Sequence, residues 1–221
     1  MTRVSAIVVA AGSGRRFGAA KQFALLRGKP VLERSLEALA GHPQVDEIIL
    51  VLPPGETGSR YRKRWPKVTA VVRGGEKRQD SVRRGFARVS SGPADLVLVH
   101  DAVRPLVSRE VISRVIAQAK ESGAAVAAVP VEDTIKEEAA GVVVRTLDRD
   151  NLRRIQTPQA FARRVLERAL RKARRDRFYG TDEAALVERT GHPVALVMGD
   201  RRNLKITTAA DLKIAEALLD E

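Results

Sequence analysis

Three short segments of this 221-residue chain combine residues whose types and spacing could act on an anion. The first reads Ala10-Ala11-Gly12-Ser13-Gly14-Arg15-Arg16-Phe17-Gly18 and continues to Lys21 and Gln22. Small residues let main-chain N–H groups approach a phosphate closely, and Arg16 and Lys21 add fixed positive charge, so the segment suits a polyphosphate. It is not a P-loop, because no G-x-x-x-x-G-K-[ST] occurs, and its G-x-G-x-x-x-G spacing is not the dinucleotide fingerprint. A tight strand-to-helix connection accounts for the same residues equally well. In the second segment, Arg73 to Ser81, Gly74 and Gly75 let the backbone touch a flat ligand. Ser81 reads there equally as a polar first-turn residue and Arg78 as a solvated charge. The third, Val99-His100-Asp101-Ala102-Val103-Arg104-Pro105, sends Asp101 and Arg104 out of a strand end together, toward a ligand or into a surface pair with each other. His100 reads as a structural histidine.

Composition narrows the chemistry. Without cysteine there is no disulfide, thiolate nucleophile or zinc–thiolate site, and three histidines make a His-rich metal site improbable. Thirty Arg and ten Lys against 27 acidic residues give a formal charge of +13, which implies polyanionic partners. Nucleic acid is one candidate, but aromatics are only 4% and no basic stripe is interleaved with Tyr or Phe, so no nucleic-acid partner is expected. No apolar run reaches the roughly 18 to 20 residues of a membrane span, and a cytoplasmic protein is expected.

The elements that must position the three segments follow from periodicity. Apolar runs at Val4–Val9, Glu47–Leu52, Val68–Val72, Leu96–His100 and Ala124–Val131 are near-continuous, which suits strands covered by helices on both faces. Helical faces recur at Val31, Leu32, Ser35, Leu36 and Leu39; at Val82, Phe86 and Val89; and at Val111, Ile112, Val115, Ile116 and Ala119. Ser108 is placed to cap the last of these and Gly123 to stop it. The pattern predicts an α/β fold in a single Rossmann-like domain over residues 1–221, with a mostly parallel sheet. Ligands of such sheets lie beyond the carboxyl ends of the strands, where the three segments fall. Val131–Lys136 and Val142–Leu147 predict a protruding β-hairpin, so 131–150 is read as an arm. A two-stranded hairpin is marginal in water, and a homodimer through it is expected. Beyond it, Phe161–Arg175 predicts a strongly basic helix, read as a solvated face, followed by a helix at Asp182–Arg189, a strand at Val194–Met198 and a helix at Ala209–Leu219.

Taken together, AAGSGRRFG with Lys21-Gln22, GGEKRQDS at 74–81, VHDAVRP at 99–105, PVEDTIK at 130–136, LDRDNLRRIQTPQ at 147–159, TDE at 181–183 and NLKIT at 203–207 resemble the 2-C-methyl-D-erythritol 4-phosphate cytidylyltransferases from end to end. Ala10 departs from the proline common in relatives, which alters only loop stiffness. The resemblance implies transfer of a cytidylyl group from CTP to methylerythritol phosphate in mevalonate-independent isoprenoid synthesis. Mg²⁺, or another divalent cation in its place, would be held mainly by the CTP phosphates, with Asp101 as a candidate ligand. It implies Arg16 and Lys21 as the catalytic pair. It places Ala10, Ala11, Gly12, Gly14, Arg15, Gly75, Glu76, Arg78, Ser81, Asp101 and Ala102 around CTP, with Gly75, Glu76 and Ser81 reading cytosine and Arg78 bracing them. Arg104, Thr157 and Lys205 fall at the acceptor, with Thr134 and Arg149 reaching from the arm into the neighbouring subunit's site. A relative that activates another polyol phosphate, a nucleic-acid-binding module and a dinucleotide-dependent oxidoreductase are the competing readings. The last lacks both the glycine spacing and an acidic residue after the second strand.

Overall fold

In a computed structural model, which describes residues 2–14, 17–90, 92 and 95–219, the apolar runs become strands of a seven-stranded sheet. The first half of the chain forms β1 (Val4–Val9), the short pair β2 (Leu25–Leu26) and β3 (Lys29–Pro30), α1 (Val31–Ala40), β4 (Glu47–Leu52), α2 (Ser59–Arg64), β5 (Val68–Arg73), α3 (Arg78–Phe86) and β6 (Leu96–Asp101). The second half forms α4 (Arg109–Ser122), β7 (Ala124–Pro130), the hairpin β8 (Lys136–Ala139) and β9 (Val142–Thr146), β10 (Arg153–Ala162), α5 (Arg163–Arg175), α6 (Glu183–Glu188), β11 (Ala195–Met198) and α7 (Ala209–Ala217).

The sheet runs β11-β7-β10-β6-β1-β4-β5. Its neighbours are parallel except where β10 lies antiparallel to β6 and β7. The mostly parallel α/β fold expected from the sequence is therefore the fold observed. Alternate residues explain the continuous apolar runs. Val4, Ala6 and Val8 pack with Leu36 of α1 and Val115 of α4 on one face. Ile7 packs with Val82 of α3 and Leu166 of α5 on the other. Each fully buried Val, Leu or Ile contributes about 1.5–3 kcal/mol relative to exposure, so both faces hold the sheet between helices. The expected cap of α4 is present: Ser108 Oγ accepts from Val111 N–H at 3.3 Å, and Gly123 ends the helix at φ 79°. Among the described residues no helix is long and apolar enough to cross a membrane.

Two expectations are corrected. The first strand of the arm is Lys136–Ala139 rather than 131–136. The turn is only Ala140-Gly141, both at positive φ (50° and 81°), and such a two-residue turn pairs Ala139 with Val142 and draws the strand toward the tip. The basic helix begins at Arg163, because Phe161 and Ala162 finish β10, where Phe161 pairs with Val97 and Ala124 and is fully buried. β10 is absent from the apolar pattern because Gln156, Thr157, Pro158 and Gln159 interrupt it, yet all four are buried.

Candidate active site

The carboxyl ends of β1, β5 and β6 meet at one edge of the sheet, joined there by the beginning of β10. They enclose a cavity of about 480 Å³. Ala10, Ala11, Gly12, Ser13, Lys21 and Gln22 line it from the first segment, Gly75, Glu76, Lys77, Arg78 and Ser81 from the second, with Asp101, Val103 and Lys205 opposite. Two smaller cavities adjoin it. One, of about 190 Å³, is lined by Arg104, Arg154, Gln156, Asn203 and Lys205 among others. The second, of about 260 Å³, includes Arg78, Asp101, Arg104, Thr157 and Gln159. A larger groove of about 680 Å³ between α4 and α5 contains none of the three segments, so size alone does not mark the site.

Close backbone approach builds the walls. Gly74 donates to Leu52 O at 2.8 Å, and a Cβ placed on it would lie 2.1 Å from Ala11 Cβ, so the first two segments touch only because residue 74 has no side chain. Ser81 Oγ accepts from Gly75 N–H at 3.0 Å and donates to Lys77 O at 3.3 Å, tying the second segment to the first turn of α3. Ser81 is thus a first-turn residue of α3 that also lines the cavity. Gln22 fixes the first segment by donating to Gly12 O at 3.2 Å.

The charges form one network around the buried carboxylates of Asp101 and Glu183. Arg78 Nε donates to Asp101 Oδ1 at 2.9 Å, Arg78 Nη1 donates to both oxygens of Glu183 at 2.9 and 2.8 Å, and Lys205 Nζ donates to Asp101 Oδ2 at 2.6 Å. Burial works against ionisation of Asp101, but Arg78 and Lys205 outweigh it and hold the carboxyl well below the usual carboxylate range. Burial pushes the Glu183 carboxyl up, with Arg78 pulling against it. Asp101 and Arg104 do not pair through their side chains. Arg104 turns away to donate to Asn203 O at 2.7 Å and Ile155 O at 3.4 Å. His100 is the structural histidine the sequence indicated: burial lowers it to about 4. Thr157 Oγ1 accepts from Asp101 N–H at 3.0 Å and lies 3.2 Å from His100 Nδ1. The hydroxyl therefore donates to Nδ1, and Nε2–H faces Arg104 O at 3.3 Å, as in a neutral imidazole.

The fold thus brings Ala10, Ala11, Gly12, Lys21, Gly75, Glu76, Arg78, Ser81, Asp101 and Lys205 to one cavity, with Arg104 and Thr157 in the adjoining ones. Gly14 sits in the turn behind at φ 67°. Ala102 is fully buried, its N–H given to Val9 O and its carbonyl accepting from Ser35 Oγ. Thr134 and Arg149 lie exposed on the arm and line none of these three cavities; Arg149 donates to Glu132 O at 2.7 Å. Arg15 and Arg16 lie outside the described residues. Glu183, only 1% exposed, had no assigned role in the sequence although it stands in the quoted TDE motif. Among the described residues no three His, Cys, Asp or Glu side chains are grouped to hold a metal ion by themselves.

Residues 4–221 match the family model described as IspD, 2-C-methyl-D-erythritol 4-phosphate cytidylyltransferase. A 2-C-methyl-D-erythritol 4-phosphate cytidylyltransferase of Symbiobacterium thermophilum is 49% identical over 99% of this chain and 93% of its own. Another, of Syntrophus aciditrophicus, is 47% identical over 98% and 96%. The crystal structure of 2-C-methyl-D-erythritol 4-phosphate cytidylyltransferase from Thermus thermophilus superimposes with a TM-score of 0.84 at 38% identity, covering all of both chains.

Proposed function

Because the chain belongs to the 2-C-methyl-D-erythritol 4-phosphate cytidylyltransferase family, we propose that its glycine-walled cavity is where the CTP triphosphate and the acceptor phosphate meet. The enzyme transfers the cytidylyl group of CTP to 2-C-methyl-D-erythritol 4-phosphate, giving 4-diphosphocytidyl-2-C-methyl-D-erythritol and pyrophosphate in the mevalonate-independent isoprenoid route. The observation that carries the site assignment is the convergence of the first two segments with Asp101 and Lys205 on one cavity.

CTP carries about four negative charges and the acceptor phosphate close to two, so mutual repulsion is the main obstacle to reaction. The acceptor oxygen that attacks the α-phosphorus is already unprotonated at neutral pH, and no general base is required. Asp101 agrees with this: each of its oxygens faces a cation, and it stays ionised, which makes it a charge anchor and not a proton acceptor. Catalysis is left to in-line positioning and to preorganised positive charge at the α-phosphate. In our reading Arg16 and Lys21 supply that charge, main-chain N–H groups of 11–14 wrap the triphosphate, and Gly75, Glu76 and Ser81 face cytosine with Arg78 behind them. Arg104, Thr157 and Lys205 serve the acceptor.

Nucleotidyltransferases of this kind typically use a divalent metal. Mg²⁺ takes one or two carboxylates plus substrate phosphates, and Asp101, which with Glu76 is one of two carboxylates lining the cavity, fits that donor set. Mg²⁺ held there by the CTP phosphates and Asp101 would offset the charge of the transferring group, with another divalent cation able to replace it. We further read residues 1–221 as one cytosolic domain that dimerises through the arm at 131–150, bringing Thr134 and Arg149 to the partner's acceptor site. Exposure of Val142, Val143 and Val144 on that arm, at 57–68%, supports a partner surface. The test is purified protein with CTP, Mg²⁺ and methylerythritol phosphate, followed by ³¹P NMR. A diphosphate-linked cytidyl product is expected, and its absence refutes the assignment.

A further inference from the structure

Glu183 stands outside the walls of the main cavity, yet it is among the most deeply buried carboxylates of the described chain. Both of its oxygens receive Arg78 Nη1, while Nε of the same guanidinium reaches Asp101. The mount beneath it is firm. Glu183 is the first residue of α6, whose cap Asp182 accepts from Ala185 N–H at 3.0 Å. Gln159 of β10 grips both neighbours, donating to Asp182 Oδ2 at 2.7 Å and accepting from Ala184 N–H at 3.3 Å. A continuous line of contacts therefore runs from β10 through α6 to Glu183, Arg78, Asp101 and Lys205.

A buried ion pair is a poor source of stability, because desolvation of two charges cancels much of their attraction. What the planar guanidinium fork does supply is direction. Arg78 opens α3 directly after the Gly75–Lys77 wall, so its orientation bears on both that wall and the carboxylate of Asp101. We propose that Glu183 is a positioning residue for the nucleotide: acting through Arg78, it holds Asp101 and the Gly75–Lys77 wall in the arrangement that receives CTP. The inference rests on the assignment of this cavity to the donor.

The test is calorimetric CTP binding without acceptor, paired with the KM for methylerythritol phosphate at saturating CTP. Glu183→Gln keeps the shape and removes the charge that makes these hydrogen bonds strong. We expect about a tenfold weaker CTP affinity, with the acceptor KM changed less than twofold. Unchanged CTP affinity overturns the proposal. So does an equal weakening for both substrates that follows a lowered unfolding midpoint, the mark of a purely structural residue. Should Glu183→Gln not fold, the double variant Arg78→Met/Glu183→Met, which removes both members of the pair, is measured in the same way. A tenfold loss confined to CTP supports the unit, and affinity within twofold of the parent overturns it. Lys21→Ala is the control on the donor assignment: if it too leaves CTP binding intact, that assignment fails, whereas silence of Glu183→Gln alone fails only the positioning role.

Discussion

Gly74→Ala tests the contact between the two segments that wall the cavity we assign to the nucleotide. The added methyl would lie 2.1 Å from Ala11 Cβ, whereas apolar carbons rest about 3.5–4.0 Å apart, so the walls must part by about 1.4 Å or more. The other neighbours, Ser81 Oγ at 3.2 Å and Leu52 O at 3.3 Å, are tight but need only small adjustments. Gly74 is not in the left-handed region, so alanine brings no backbone strain there, and the perturbation is the clash itself. A misplacement of about 1 Å at a catalytic site costs on the order of 10²-fold, so kcat/KM for CTP is expected to fall about 100-fold, or about 2.7 kcal/mol. Pyrophosphate release at saturating acceptor measures it. The decisive companion is Ala11→Gly/Gly74→Ala, which removes the atom that is struck and is expected to recover activity to within about fivefold of the parent. Activity of Gly74→Ala within threefold of the parent, or a double variant no better than the single, refutes the reasoning.

Lys21→Ala is expected to lower kcat by about 10²–10³-fold, the scale of one lost preorganised contact, as read by single-turnover kinetics; a near-normal rate removes Lys21 from the catalytic pair. Arg149→Ala is expected to raise the KM for methylerythritol phosphate while CTP affinity stays unchanged, and a parallel loss of CTP affinity counts against the arm's role. Val143→Lys at the arm is expected to shift the protein from dimer to monomer in sedimentation experiments, and an intact dimer rules out the arm as the interface. His100 is lowered by burial to about 4 in the fold and stands near 6.5 when unfolded. The unfolded chain therefore takes up the extra proton first, and stability, full above about pH 6.5, falls by on the order of 3 kcal/mol as pH drops toward 4. Urea unfolding at pH 7 and 4.5 measures this, and His100→Gln is expected to flatten the slope; an unchanged slope shows that another group carries it.

What the sequence by itself determined is local. Continuous apolar runs identify strands covered on both faces because every residue of such a strand enters a core, as Ile48, Ile49, Leu50 and Val51 do. Ser108 and Gly123 mark the ends of α4 because capping is chemistry within one turn. Gly12, Gly75, Asp101 and Lys205 were singled out through the motifs that contain them, and the fold brings all four to one cavity, although each alone had a structural reading as well. The tertiary structure decided what depends on partners distant in the chain. β10 hides its strand character because Gln156, Thr157 and Gln159 are buried polar residues, and their burial is tolerable only with hydrogen-bond partners such as Asp200, Asp101 and Asp182. Whether Asp101 met Arg104, or Arg78 and Lys205 instead, depended on loops separated by 23 and 104 residues arriving at one strand end. Glu183 could be quoted in a motif, but its place behind Arg78, 105 residues away, emerges only when α6 docks. Neighbours in sequence set backbone geometry and caps; the pairing of buried charges follows from the packing of the completed fold.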